Sequence, residues 1–306
     1  MNTRIVIKNT DSTESVNENV LSFTFIKDVY TPYTYLRIKA VSSVQTFTNA
    51  GEILFYLDNI LIHHGLIDNV SSSFCDGQST VSVTSKGFTS LLTFNQTEPG
   101  LKTNISINML MDSFYSFPYI THEDNNQTSY IYVDKNSTMW EGIENLSYKI
   151  CGTYPYIRGT NCVMMTAVQS PSVFSYSTDN VLSYGSELNT KRLYSNFHMA
   201  DINGDFGNYE YEDLEVTARN IVRHRFFELD MRFLYSPQQA LEYRDKLCRR
   251  GEKRSFISYC GYNGEDLYDT VSFGDIVSKP VSRVKISGDS TGTVTEISVY
   301  SDKFIQ

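Results

Sequence analysis

Cysteine is scarce in this chain, and what there is does not form a framework. Cys75, Cys151, Cys162, Cys248 and Cys260 are odd in number and include no C-x-x-C pair, which fits reduced thiols rather than disulfides or a zinc knuckle. Basic residues are the minority: 26 Lys and Arg stand against 35 Asp and Glu, a net charge of −9. A surface of that sign does not attract phosphate backbones, which excludes a general nucleic-acid binder. Long apolar runs are missing too. The longest, Ile53–Leu57 with Ile60–Ile62, is interrupted by Asp58-Asn59 and falls far short of the ~20 residues that span a bilayer. The opening MNTRIVIKNT lacks the apolar stretch of a signal peptide, so the expectation is a protein made in the cytoplasm and kept there at first, with no membrane partner.

Catalytic signatures are equally thin. There is no P-loop, no G-x-G-x-x-G and no G-x-S-x-G. The segment from Asp201 through Asn203 and Asp205 to Glu212 has the alternating oxygen donors of a calcium loop, but Phe206 stands where the sharp turn wants glycine. An acidic loop with Asx turns is the plainer reading. His63 and His64 are adjacent, and neighbours in a strand point to opposite faces, so they do not share a metal. His122, His198 and His224 read as isolated. None of the five cysteines sits in a loop-to-helix setting that would activate a nucleophile. A glycosidase carboxylate pair cannot be placed from spacing alone. Arg219, Arg223, Arg225 and Arg232 read as a solvated or ion-paired face. The expectation is no catalytic residue, no cofactor and no metal site.

What the sequence does have is aromatic and β-branched residues in alternation, with 22 Tyr and 18 Phe. That suits strands with one buried and one wet face. The best-marked stretch runs from Ile53 to Gly87, where Asp58-Asn59 and Asp76-Gly77 mark hairpin turns and Val81 and Val83 alternate with Thr80, Ser82 and Thr84. Upstream, Thr3–Lys8, Val20–Asp28 and Tyr35–Val41 alternate likewise, and Asn9–Asn19 reads as a polar connection. Six or so strands in the first ~85 residues predict a small barrel or sandwich.

The character then changes. Asn104–Phe114 predicts a helix capped by Asn104, with Ile107, Leu110, Met111 and Phe114 on one stripe. Thr138 and Glu141 form a capping box for a helix ending at Cys151-Gly152, with Trp140, Ile143, Leu146 and Ile150 on its buried side. A hairpin turns at Arg158-Gly159-Thr160. From Pro171 strands return, with a long loop at Asp201–Asn208 and strand-like Leu214–Val222 and Phe226–Phe233. Ser236-Pro237 opens a helix running to Arg250, with Ala240, Tyr243 and Leu247 as its stripe. The closing strands are predicted over Ser255–Tyr262, Asp269–Phe273, Ile276–Ile286 and Thr293–Tyr300. The fold class expected is mainly β with an α+β insertion, divided as residues 1–90, 91–170 and 171–306.

Several stretches resemble one family. SFTFIKDVYTPYTYLRI, the meander ILFYLDN to STVSVTSKGFTSLL, then VDKNSTMWEGIENLSYKICGTYPYI, SPQQALEYRDKLCRRGEK, SFGDIVSKPV and GTVTEISVY are similar in kind and order to baseplate hub proteins of contractile phage tails and R-type bacteriocins. This is the late-control-protein-D group, with Mu-like, PBSX-like and diffocin-like hubs. The resemblance implies two related tube-like β-barrel domains, 1–90 and 171–306, flanking the helix-containing insertion. It implies a homotrimer that adapts a six-fold tail tube or tube-initiator protein to a three-fold central spike, beside other baseplate proteins. A tape measure protein would pass through a lumen that the acidic balance suits. The implied role is structural, in the tail baseplate of a virion or bacteriocin assembled in the bacterial cytoplasm and released by lysis. The alternative from another class is a carbohydrate-binding or cell-wall-hydrolysing tail protein, whose many tyrosines would stack on sugars.

Overall fold

The computed structural model describes residues 2–42, 49–75 and 77–305. Its largest element is an eleven-stranded sheet. Seven strands come from the N-terminal part: β1 (Thr3–Asn9), β2 (Glu14–Asn17), β3 (Val20–Asp28), β4 (Tyr35–Val41), β5 (Ala50–Leu57), β6 (Ile60–Cys75) and β7 (Gln78–Gly87). The alternation predicted for them holds, because Ile5, Ile7, Phe23, Phe25, Leu36, Ile38, Val81 and Val83 are all buried. The polar connection after Asn9 contains a strand of its own, β2, which pairs back on β1. Asp58 and Asn59 both take left-handed backbone, at φ of 47° and 67°, as a tight hairpin between right-twisting strands requires. At the second turn Gly77 has φ of 78°, while Asp76 lies outside the described residues.

The mainly β expectation is met, but the sheets are open and are not closed barrels. The strands of the two ends are continuous instead. Arg283–Asp289 pairs antiparallel with β3, in a register that sets Ile286 against Phe25 and Gly288 against Phe23. Beyond it the sheet continues through Gly292–Tyr300 and Lys253–Cys260 to an edge strand, Ser183–Leu188. One core therefore joins Ile5, Phe25 and Phe55 to Ile257, Val284, Ile297 and Val299. Alternation along a strand tells which side faces the core but not which strand lies next to it, so the seam was invisible in the sequence. Glycine is required at this seam: a Cβ on Gly288 would lie 2.2 Å from the Phe23 ring.

A second core is drawn from Leu92–Met165 alone. Its helix, Met139–Cys151, is built as predicted. Thr138 accepts from the Glu141 amide, Glu141 returns the bond to the Thr138 amide, and Gly152 closes the helix at φ of 70°. Trp140, Ile143 and Leu146 are buried. The preceding helix is shorter than predicted. Asn104 belongs to strand Gly100–Ile105 with φ of 54°, and Ser106 is the cap, accepting from the Met109 amide. The turns then widen to π-type over Leu110–Phe114. A third core packs the helix Pro237–Cys248 on strand Asn196–Met199, with Phe197, Phe233, Tyr243 and Phe304 inside. Parts of two strand-like segments here turn out helical, although Phe226 and Phe227 do lie in a strand, His224–Phe227. Asp213 caps the turn Leu214–Thr217, accepting from the Glu215 and Val216 amides, and Met231–Phe233 is a turn capped by Asp230. Among the described residues no helix is long and apolar enough to cross a membrane.

Candidate assembly surface

The sheet ends in unused hydrogen-bonding capacity. Among the described residues, Ser183–Leu188 pairs with Lys253–Cys260 on one side only. An unpaired edge is a template for another chain unless it is blunted. This one carries Leu182, Tyr184 and Leu188 at 58%, 59% and 57% exposure. Even-numbered residues share a face, so the three make an apolar stripe. A second free stretch lies on β6. Its pairing with β5 ends at Leu66, and past that point β6 pairs only with β7 among the described residues. This arm is lined with hydroxyls, Ser73 and Thr80 meeting at 2.8 Å, and carries Phe74 at 76% exposure near its tip. Apolar stripes on free strand edges are features of a polymerising or docking surface, not of a catalytic cleft.

Asp201 is satisfied by its own loop, accepting from the amides of Asn203 and Asp205 and from Asn208. Those bonds hold its carboxyl below the usual range. Glu212 instead accepts from Thr217. Among the described residues no three His, Cys, Asp or Glu side chains are placed to hold a metal ion. His63 is sealed in the core between Thr34 and Ser85, each 2.8 Å from a ring nitrogen, whereas His64 meets Glu52 at 3.0 Å. Adjacent histidines thus do face different surroundings. His198 and His224 are not isolated: parallel pairing of their strands brings Nε2 and Nδ1 within 3.0 Å, with Glu210 on the other nitrogen of His198. Spacing of 26 residues gave no hint of that pairing.

The arginines separate. Arg219 pairs with Glu252 at 2.6 Å, Arg232 pairs with Asp230 at 2.5 Å, and Arg223 donates to the carbonyls of Thr190, Lys191 and Leu193. The buried arginine is another one, Arg249, which the helical stripe left unassigned. It donates through Nε to Asp213 at 2.7 Å and through Nη1 to Glu252 at 2.9 Å. Lys303 meets Asp245 at 2.6 Å in the same network, which ties the chain's end to this helix. Burial and the neighbouring Asp213 push the Asp245 carboxyl up to about 6. Burial also works against ionisation of Asp213, but hydrogen bonds from Asp245 and Arg249 pull it below the usual carboxylate range. The result is a charge network with Arg249, Asp213, Asp245 and Glu252 buried at its centre.

Tyrosine serves the interior. Tyr30 stacks on Tyr300, Tyr156 on Tyr268 and Tyr176 on Tyr259. Among the described residues only Tyr119, Tyr184 and Tyr235 are exposed, and Tyr119 and Tyr235 already pack on Phe88 and Tyr130.

No family model matches the sequence, and no curated protein matches it. Solved structures do. The tail protein of Neisseria meningitidis MC58 superimposes with a TM-score of 0.74 at 11% identity, covering 98% of this chain and 97% of its own. The 43 kDa tail protein of prophage MuSo2 from Shewanella oneidensis gives 0.71 at 13% identity, covering 97% of each. An Escherichia coli component of the type VI secretion system, described as similar to the bacteriophage T4 tail proteins gp27 and gp5, gives 0.52 at 10% identity over 94% of this chain and 77% of its own. Over nearly its whole length, the fold of this chain is the fold of these two tail proteins.

Proposed function

We propose that the chain is a structural protein of a contractile tail: a baseplate hub that, as a homotrimer, joins a six-fold tail tube or its initiator to a three-fold central spike. The observation that carries this is the fold agreement over nearly the whole length of both chains with a tail protein. The sheet supports it. Each chain holds two antiparallel arrays, β1–β7 and the four strands between Ser183 and Tyr300. Three chains bring six such arrays into a ring, so that near-equivalent surfaces meet a partner of doubled symmetry. Residues 1–90, 91–170 and 171–306 are then units of interface, while folding joins the first to the last through the shared core. The free edge at Ser183–Leu188 is a contact between subunits or toward the tube. The setting is the baseplate of a virion or of a bacteriocin particle, assembled in the bacterial cytoplasm and released by lysis, with a tape measure chain in the lumen. No reaction is assigned to the chain.

Light scattering on the purified protein, alone and mixed with a purified central spike protein, tests this. A trimer, or a three-to-three complex with the spike, is expected. Replacing the edge stripe with Tyr184→Lys and Leu188→Lys leaves the circular dichroism unchanged, because both side chains are exposed, and abolishes the assembly. A monomer indifferent to the spike would overturn the hub reading.

A further inference from the structure

On the helix Pro237–Cys248 side of the molecule, a cavity of about 310 Å³ is lined by Lys191, Arg192, Arg225, Arg244 and Arg250, with Tyr194, Leu247 and Cys248 completing its wall. Five cations and no carboxylate line it, in a chain whose net charge is −9. Their charges are poorly met. Among the described residues no carboxylate pairs with Lys191, Arg192, Arg225 or Arg250. Arg225 donates to Cys248 Sγ at 3.7 Å, a weak acceptor, and lies over the Tyr194 ring. Arg250 donates to the Leu247 carbonyl at 3.3 Å and lies 4.9 Å over the Tyr154 ring. Arg244 does reach Asp230 at 3.1 Å, but its Nε–H is buried without an acceptor in the protein. The carboxylates that act on this group from behind are shared or engaged elsewhere: Asp230 divides between Arg244 and Arg232, Asp245 meets Lys303, and Glu144 accepts from the Tyr154 and Tyr243 hydroxyls.

Like charges held around a cavity raise the energy of the empty fold. Guanidinium forks match planar or tetrahedral oxyanions bidentately. The volume lies at the lower end of small-ligand pockets, which run from ~300 Å³. We propose that this pocket binds a compact polyvalent oxyanion, with Arg225 and Arg250 on its walls and Lys191 and Arg192 at its mouth. The inference is independent of the hub reading, because one protomer holds every residue of the pocket.

Titration calorimetry on the full chain, at fixed ionic strength, tests it with sodium pyrophosphate as the free probe and a hexaglutamate peptide as a protein-borne one. Pyrophosphate is expected to bind one site per chain in the micromolar range. The exposed pair Lys191→Gln with Arg192→Gln, and separately Arg225→Gln, should weaken it by roughly tenfold or more. Lys279→Gln, on an exposed strand position elsewhere, should not change it. Without ligand the pocket variants should melt higher than the parent, which shows that they fold. Peptide binding displaced by pyrophosphate would support the site and identify the anion's source as carboxylates of a partner. Absence of binding by both probes, or equal binding by the pocket variants and Lys279→Gln, would overturn the proposal.

Discussion

Acid should loosen this protein through one residue, His63. It is fully buried in the sheet core, and burial, with a smaller push from His64, lowers its pKa to about 3. The hydrogen bonds fix its tautomer. The Ser85 hydroxyl donates to the Leu66 carbonyl at 2.7 Å, so it accepts from Nε2–H, and Nδ1 accepts from Thr34. The neutral ring is satisfied on both sides. In the unfolded chain the same ring titrates near 6.5. Below that pH the unfolded state binds a proton that the folded state refuses, so stability falls as pH drops from about 6.5 toward about 3. Between pH 7.5 and 5.0 the difference amounts to about 2 kcal/mol. His63→Gln keeps an amide donor for Ser85 and removes the titration. Urea unfolding of both proteins at the two pH values measures it. The variant will be less stable at pH 7.5, but it should lose about 2 kcal/mol less on acidification than the parent. Equal losses in the two proteins would show that His63 is accessible to protons in the folded sheet, and would refute the reasoning.

Gly288→Ala should destabilise by about 1–3 kcal/mol, because its Cβ meets the buried Phe23 ring, which is itself held 4.9 Å from Phe55. Urea midpoints check it, and combining it with Phe23→Leu should cost less than the sum of the two. Lys149 is half-buried, and burial lowers its pKa to about 7. The folded chain therefore gives up this proton before the unfolded chain does, and stability rises with pH from about 7 toward 10. Melting temperatures at pH 7 and 9 should show that rise in the parent and a flatter response in Lys149→Met.

Much of the local structure was legible because local chemistry fixes it. The Thr138–Glu141 box, the Asp58-Asn59 turn and the alternation of β3 and β7 each need only residues a few places apart, and each is built as read. Where a competing local interaction won, the reading slipped by a residue or a class. Ser106 rather than Asn104 caps its helix, since strand Gly100–Ile105 runs on past Asn104, which sits with φ of 54° at an irregularity in the pairing with Ser129–Val133. Asp213 turned an apparently β stretch helical by capping it. What could not be read was pairing at long range. The seam between β3 and Arg283–Asp289 joins residues 255 to 265 positions apart; the His198–His224 contact, across 26 positions, and the basic pocket, whose arginines come from a loop, a strand and a helix, were hidden for the same reason. Charge counts along the chain diluted that pocket among acidic neighbours.

The seam also bears on the adaptor role proposed above. Two arrays folded as separate barrels could tilt against each other, and a ring built from three such chains would transmit force through its linkers. Here the arrays share one sheet and one core. Antiparallel bonds run across the seam from Arg283↔Asp28 to Gly288↔Phe23. The insertion is clamped to the same place. Lys27 on β3 bonds to the Gly159 carbonyl at 2.6 Å and to Asp266, and Arg158 pairs with Asp269 at 2.9 Å. Lys27 is buried, and burial lowers its pKa while Asp266 works to hold the charge. Removing a single partner from such a buried set leaves a charge uncompensated, typically at 3–5 kcal/mol. Buried charge of this kind is a poor device for stability alone, since an apolar replacement serves as well. On the hub reading proposed above, its role would be to fix orientation, because two halves presenting matching surfaces to one partner need their relative angle fixed more than a deeper energy minimum.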